Sequence, residues 1–204
     1  MAISNGYATL DDVKAAARVT DNFDDGLFEV AIESASRDID AYCERVFYNA
    51  GSLTRVYIPT DIYRLETDDL VSVTTIKSDT NGDGGFNETW AATDYQLEPL
   101  NGIAGGIATP YTRIRAVGDL LWPVYEPRDI NAGQASVEVT GVFGFASIPI
   151  AIKQATIIAS LRAYKRYESP TGVLGFSDVG VVRIGRTDPD VQRLIDPYRK
   201  FLLA

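Results

Sequence analysis

Two groups of carboxylates have the residue types that chemistry needs. Asp79-Thr-Asn-Gly-Asp-Gly84 repeats the first half of a calcium loop, D-x-N-x-D-G, with oxygen ligands at alternate positions. Such a loop closes on its cation with a bidentate glutamate at the twelfth position. Here the twelfth residue is Trp90, and Glu88 stands tenth. Asp79, Asn81 and Asp83 are therefore weak metal candidates, and a hairpin turn of residues that accept positive φ is the preferred reading. Asp61, Glu66, Asp68 and Asp69 can be drawn as a carboxylate pair for acid–base work. The chain has no histidine, however, and neither a nucleophile elbow nor a glycine-rich phosphate loop. A solvated acidic loop is the simpler account, and neither enzymatic activity nor a cofactor is expected. Cys43, the single cysteine, borders the apolar face of a helix and reads as a small core residue; one cysteine gives no internal disulfide. Lys165, Arg166, Arg183 and Arg186 gather cations near the end of the chain. They suit either a helix C-terminus or a docking patch for an acidic neighbour.

The elements that carry these residues are organised around Ser147–Ser169. Pro149 fits a first helical turn and Ser169-Pro170 ends the run, so a helix of roughly 20 residues is expected between them. Its apolar positions run nearly all the way round, leaving Lys153, Thr156 and Ser160 as a narrow polar stripe. A helix of that kind is buried on most sides, either in its own core or where copies assemble. Upstream, Thr9-Leu-Asp-Asp12 resembles a capping box that opens a short helix from Leu10 to about Arg18. Asp24-Asp25 open a second helix, whose face is Phe28, Ile32, Ala35, Ile39, Tyr42 and Val46, with Glu29, Glu33, Arg37, Asp40 and Glu44 turned away. Residues 53–145 are rich in β-branched and aromatic residues, with strands expected near 53–58, 71–77, 86–91, 95–97, 112–117 and 136–142. Trp122 to Arg128 reads as an ordered loop with packing aromatics. Residues 170–188 form a glycine-punctuated link that nevertheless carries apolar side chains, and Asp188-Pro189 open a last helix interrupted at Pro197. The expected class is α+β. The N- and C-terminal parts, 1–50 and 148–204, form a helical bundle, and 51–147 form an antiparallel β insert.

Charge divides the same way. The chain has 204 residues and a net charge of −9, with residues 1–70 at −8, 71–147 at −5 and 148–204 at +4. An acidic front and a basic end predict complementary contacts within the chain or between copies. Tight binding to duplex DNA is not expected of so acidic a chain. The opening MAISNGYATLDD lacks the basic and apolar regions of a secretory signal, and no stretch is apolar enough for a membrane helix.

Several stretches also carry a family likeness. They are Tyr7-Ala-Thr-Leu-Asp-Asp-Val13, the helix ending Ser34-Ala-Ser-Arg-Asp-Ile-Asp-Ala-Tyr-Cys-Glu-Arg-Val-Phe-Tyr48, Asp94-Tyr-Gln-Leu-Glu-Pro99, Ile148-Pro149 through Arg166, and the closing DPDVQRLIDPYRK. Together they resemble the head–tail connector (adaptor) proteins of long-tailed bacteriophages. The large β insert departs from the smallest, nearly all-helical members. The resemblance implies a structural protein of the virion neck, assembled in the host cytoplasm as a ring, typically a dodecamer, beneath the portal. Its implied partners are the portal protein, tail-side neck proteins (a stopper or tail terminator) and copies of itself. Packaged DNA would pass close by without sequence-specific contact, and no membrane is involved. On this reading the contacts with portal or neighbour fall on Phe176, Val179, Val181, Val182, Arg183, Ile184, Arg186 and Tyr198, with residues 170–187 ordering on assembly. A β-rich host- or carbohydrate-binding module of a virion, stiffened by calcium, is the alternative.

Overall fold

A computed structural model describes residues 3–168 and 188–200. The chain divides into two compact units, Met1–Phe47 with Ile148–Ala204, and Tyr48–Ser147. The α+β class expected from the sequence is borne out.

The first unit is helical. α1 (Leu10–Ala17) starts with a complete capping box: Thr9 Oγ1 accepts from Asp12 N, and the Asp12 carboxylate accepts from Thr9 N. α2 (Asp25–Cys43) buries Phe28, Ala31, Ile32, Ala35, Ser36, Ile39 and Cys43. It stops earlier than its apolar spacing predicts. Glu44 turns left-handed at φ 55°, so Val46 lies beyond the helix and Phe47 takes the buried place. α3 (Ile150–Glu168) and α4 (Pro189–Ile195) complete the described helices. Pro149 precedes the first turn rather than lying in it, and its carbonyl accepts from Lys153 N at 3.0 Å. Asp188 caps α4 through a 2.9 Å bond from Asp190 N, with Pro189 at the first helical position. Past Ile195 the chain tightens into a 3-10 turn at Asp196–Tyr198, where Pro197 cannot continue the α-helical ladder.

α3 corrects one expectation directly. Thr156 and Ser160 are fully buried, on the same face as Ile152, Ala155 and Tyr164. Their hydroxyls bond back to carbonyls one turn earlier, Thr156 to Ile152 O at 2.9 Å and Ser160 to Thr156 O at 2.7 Å. A small side chain that satisfies itself in this way is polar in composition but can face a tight helix contact. Ile150, an apolar residue in the first turn of α3, is 85% exposed. Phe28 stacks on Tyr164 at 4.1 Å, with Val13, Ile32 and the flanks of Ile157 and Leu161 around them.

The second unit is an antiparallel sheet. β1 (Asn49–Tyr57), β2 (Arg64–Ser78), β3 (Glu88–Trp90), β4 (Tyr95–Glu98), the short hairpin β5 (Ile103–Ala104) and β6 (Ile107–Ala108), β7 (Tyr111–Ala116) and β8 (Val137–Gly144) follow in chain order. The main sheet runs β1-β8-β2-β7-β4, with β3 also paired to β2. One face buries Leu65, Leu70, Ile76, Ile114, Val137, Val139 and Phe143. Trp90 and Trp122 stack there, nearly parallel, at 4.0 Å. The opposite face is polar, with Thr54 and Thr140 joined at 2.8 Å and Lys77 bridged to Glu138 at 3.6 Å. β8 can lie close to its neighbours because it has glycines where a side chain would collide. A Cβ at Gly141 would stand 2.3 Å from Ser72 O, and one at Gly144 (φ 94°) 2.1 Å from Tyr48 O.

Candidate functional site

The calcium-like loop organises itself with its own carboxylates. Asp79 is buried, and its two oxygens accept from Gly82 N and Gly84 N, both at 2.8 Å, and from Gln134 Nε2 at 3.2 Å. Tyr125 donates to the Asp79 carbonyl at 3.0 Å. Asp83 accepts from Asn81 Nδ2 and from Gly85 N. Asp79, Asn81 and Asp83 thus serve backbone donors and one another, and the Trp90 that displaces the closing glutamate is a core residue. Among the described residues no cluster of acidic or cysteine side chains has the arrangement of a metal site.

The second acidic group is not a loop. β2 begins at Arg64, well before the sequence suggested, so Glu66, Asp68 and Asp69 lie within a strand. The strand alternation sends them to opposite faces: Glu66 and Asp68 are exposed, Asp69 is buried. Arg113 Nε meets Glu66 at 3.3 Å and Arg55 meets Asp68 at 2.6 Å. Tyr57 donates to the same Asp68 at 3.2 Å. Asp61 stands apart before the strand, its Oδ1 accepting from Tyr63 N at 2.6 Å and Arg64 N at 3.0 Å. These carboxylates stitch strands and shape a turn; they do not converge on a reacting atom.

A node that the sequence did not reveal lies in the helical unit. The buried Tyr7 hydroxyl donates to Asp40 and accepts from Phe47 N at 2.8 Å. Asp40 also meets Arg37 Nε at 3.1 Å, so it is not simply turned to solvent. Burial, reinforced by the Asp40 carboxylate, raises the Tyr7 phenol well above its ordinary value. Burial likewise raises Asp40, against the pull of Tyr7 and Arg37. Tyr7 lies 33 residues from Asp40, and spacing along one helix cannot show such a pair. Cys43 is fully buried rather than at the border of the face, and burial pushes its thiol up to about 11. At neutral pH it is a protonated core group, not a nucleophile.

The basic end is only partly described. Lys165 and Arg166 are exposed in the last turn of α3. Arg162 on the same helix pairs with Asp188. Phe176, Val179, Val181, Val182, Arg183, Ile184 and Arg186 lie outside the described residues. Tyr198 lies against its own unit: its ring meets Phe47 edge-on at 5.8 Å, and its carbonyl accepts from Arg45 at 3.1 Å. No described helix is long and apolar enough to cross a membrane.

Helical parts from both ends of the chain form one unit, the strands of the middle of the chain form the other, and the carboxylates described above are engaged in internal bonds. Residues 7–83 match the family described as phage gp6-like head-tail connector protein. The connector resemblance read from the sequence is thereby borne out, and the match continues past α2 into the first two strands. No curated protein matches the chain. Among solved structures, a chain in the neck of a native gene transfer agent (GTA) particle computed with C12 symmetry aligns with TM-score 0.57 at 15% identity, covering 100% of this chain and 94% of that one. A chain in the neck of an empty GTA particle computed with C6 symmetry gives 0.56 at 17%, covering 100% and 95%. One in the virion of the native GTA particle gives 0.54 at 18%, again covering 100% and 95%. At these identities the likeness is one of fold, and it includes the β insert.

Proposed function

We propose that this chain is a structural neck protein that joins the portal of a phage or phage-like capsid to the tail, repeated as a ring around the DNA exit channel. The observation that carries the reading is the connector-family match over residues 7–83, extended by a fold likeness to neck chains along the whole molecule. The twelvefold symmetry of one matched neck favours a ring of identical copies. Such a ring needs two different faces on each copy that fit one another. Its partners are copies of itself, the portal protein on the capsid side, and a stopper or tail terminator on the tail side. Phe176, Val179, Val181, Val182, Arg183, Ile184, Arg186 and Tyr198 supply contacts to portal or neighbour. A net charge of −9 suits a channel through which DNA passes without adhering. The role calls for no catalytic step and no cofactor.

The experiment is genetic. Removing this chain from its particle should leave filled capsids and finished tails unjoined, visible side by side in electron micrographs. Normally joined particles would contradict the proposal.

A further inference from the structure

Arg64 on β2 and Arg115 on β7 are register partners, directly opposite one another in the sheet. Both are exposed, and like charges facing across two strands destabilise the pair. Nearby arginines are neutralised, Arg113 by Glu66 and Arg55 by Asp68. Among the described residues no ion pair involves Arg64 or Arg115. With Tyr63 and Asp61 they line a cleft of about 190 Å³. Asp61 supplies one negative charge there, but it is engaged by the N–H groups of Tyr63 and Arg64. Tyr63, one of the lining residues, is exposed, and so are Ile62, next to it in the chain, and Leu121, next to the Trp122 whose N–H donates to Ile62 O. Two free guanidinium groups beside an exposed tyrosine and aliphatic side chains have the composition of an interface centre.

We infer that this cleft receives the start of α2 from a second copy of the chain, as one of the two unlike faces of the ring proposed above, on which the inference rests. Charge complementarity selects the occupant. Residues 1–47 carry ten acids against four bases, whereas the cleft has two unneutralised cations. Just before α2, Asp21 is exposed, with Oδ1 accepting from Phe23 N at 3.2 Å and Oδ2 without a hydrogen bond among the described residues, and Phe23 is 94% exposed; Leu27 and Val30 in the first turns of the helix are also exposed. Asp21 provides a carboxylate for the planar forks of the two arginines, and Phe23 and Leu27 provide apolar surface for Tyr63, Ile62 and Leu121. The two patches differ, as the unlike faces of the ring proposed above require. A phosphate backbone would use the arginines but not the apolar rim, which favours a protein occupant.

The test uses the full chain assembled with the other neck proteins. Lysine at both positions (R64K and R115K) permits zero-length carbodiimide coupling to carboxylates, and mixing ¹⁴N and ¹⁵N chains separates links between copies from links within one. We expect inter-copy links to Asp21. We also expect R64E with R115E to weaken self-association at least about tenfold, with partial recovery on adding D21K. Circular dichroism of each variant separates a lost contact from a lost fold, and the milder R64Q with R115Q replaces any variant that unfolds. Rings that form normally from the reversed-charge variant, or links that avoid residues 21–30, overturn the inference while leaving the neck assignment intact. A wild-type chain that never self-associates in the presence of its neck partners overturns both. Unchanged assembly with reduced retention on duplex DNA assigns the arginines to phosphate and overturns the inference alone.

Discussion

Asp12 holds more of the helical unit together than its half-buried position suggests. It accepts from Thr9 N at 3.0 Å and from the Thr9 hydroxyl at 2.6 Å, and Lys153 of α3 reaches it at 2.8 Å. Lys153 and then Thr9 lower its carboxyl to about 2. A folded value below the unfolded one means that the unfolded chain takes up the proton first as acid is added. The contribution is therefore present above pH about 4 and is lost as pH falls through about 2. Lys153→Met should flatten that acid limb in thermal melts while costing no more than about 1 kcal/mol at neutral pH, because the pair is solvated. An unchanged limb would mean that the bridge does not couple α1 to α3. Asp79 belongs to the opposite regime. Asp79→Ala removes the buried acceptor of two backbone donors and Gln134 and should cost about 1–2 kcal/mol in chemical denaturation. Calcium should leave the wild-type melting temperature unchanged; a clear rise would restore the metal reading.

Between elements, small residues decide how closely backbones approach. Ser160 faces α2 with its hydroxyl already satisfied and lies within 3.5 Å of Ala31 O. Ser160→Leu should overpack that contact and cost about 1–3 kcal/mol, whereas a surface change such as Gln154→Leu should be near neutral. Gly144→Ala combines a positive φ with a collision at Tyr48 O and should lower stability by more than about 1 kcal/mol; equal melting temperatures would show that β8 can shift away from β1. The elements themselves were largely legible. The Thr9 box, the 4-3 spacing of Phe28 to Ile39 and the Asp188-Pro189 start act within one turn, and local rules govern them. Two of the departures arise from contacts that sequence spacing does not show. The start of β2 was hidden because Glu66 and Asp68 look like loop residues until Arg113 and Arg55 arrive from neighbouring strands. The Thr156–Ser160 part of the polar stripe is buried because back-bonding to the helix, which composition does not show, satisfies both hydroxyls. The Arg64–Arg115 pair was invisible for the same reason as Tyr7–Asp40: register and tertiary contact, not spacing, create both.

At the scale of the whole molecule, surface left uncovered is the main clue to role. Phe23, Ile130 and Ile150 are each at least 85% exposed. A neck protein of the kind proposed above would cover such surface with its neighbours on assembly. If the basic end meets the portal, reversing Arg183 and Arg186 to glutamate should weaken portal binding at least about tenfold and steepen its response to salt less than in the wild type. Equal binding by both proteins would remove those residues from the contact. The central claim is most directly tested by electron cryomicroscopy of the chain mixed with its portal. The account predicts a closed ring of copies seated on the portal and coaxial with its channel. Solitary chains in the presence of intact portal rings would contradict it.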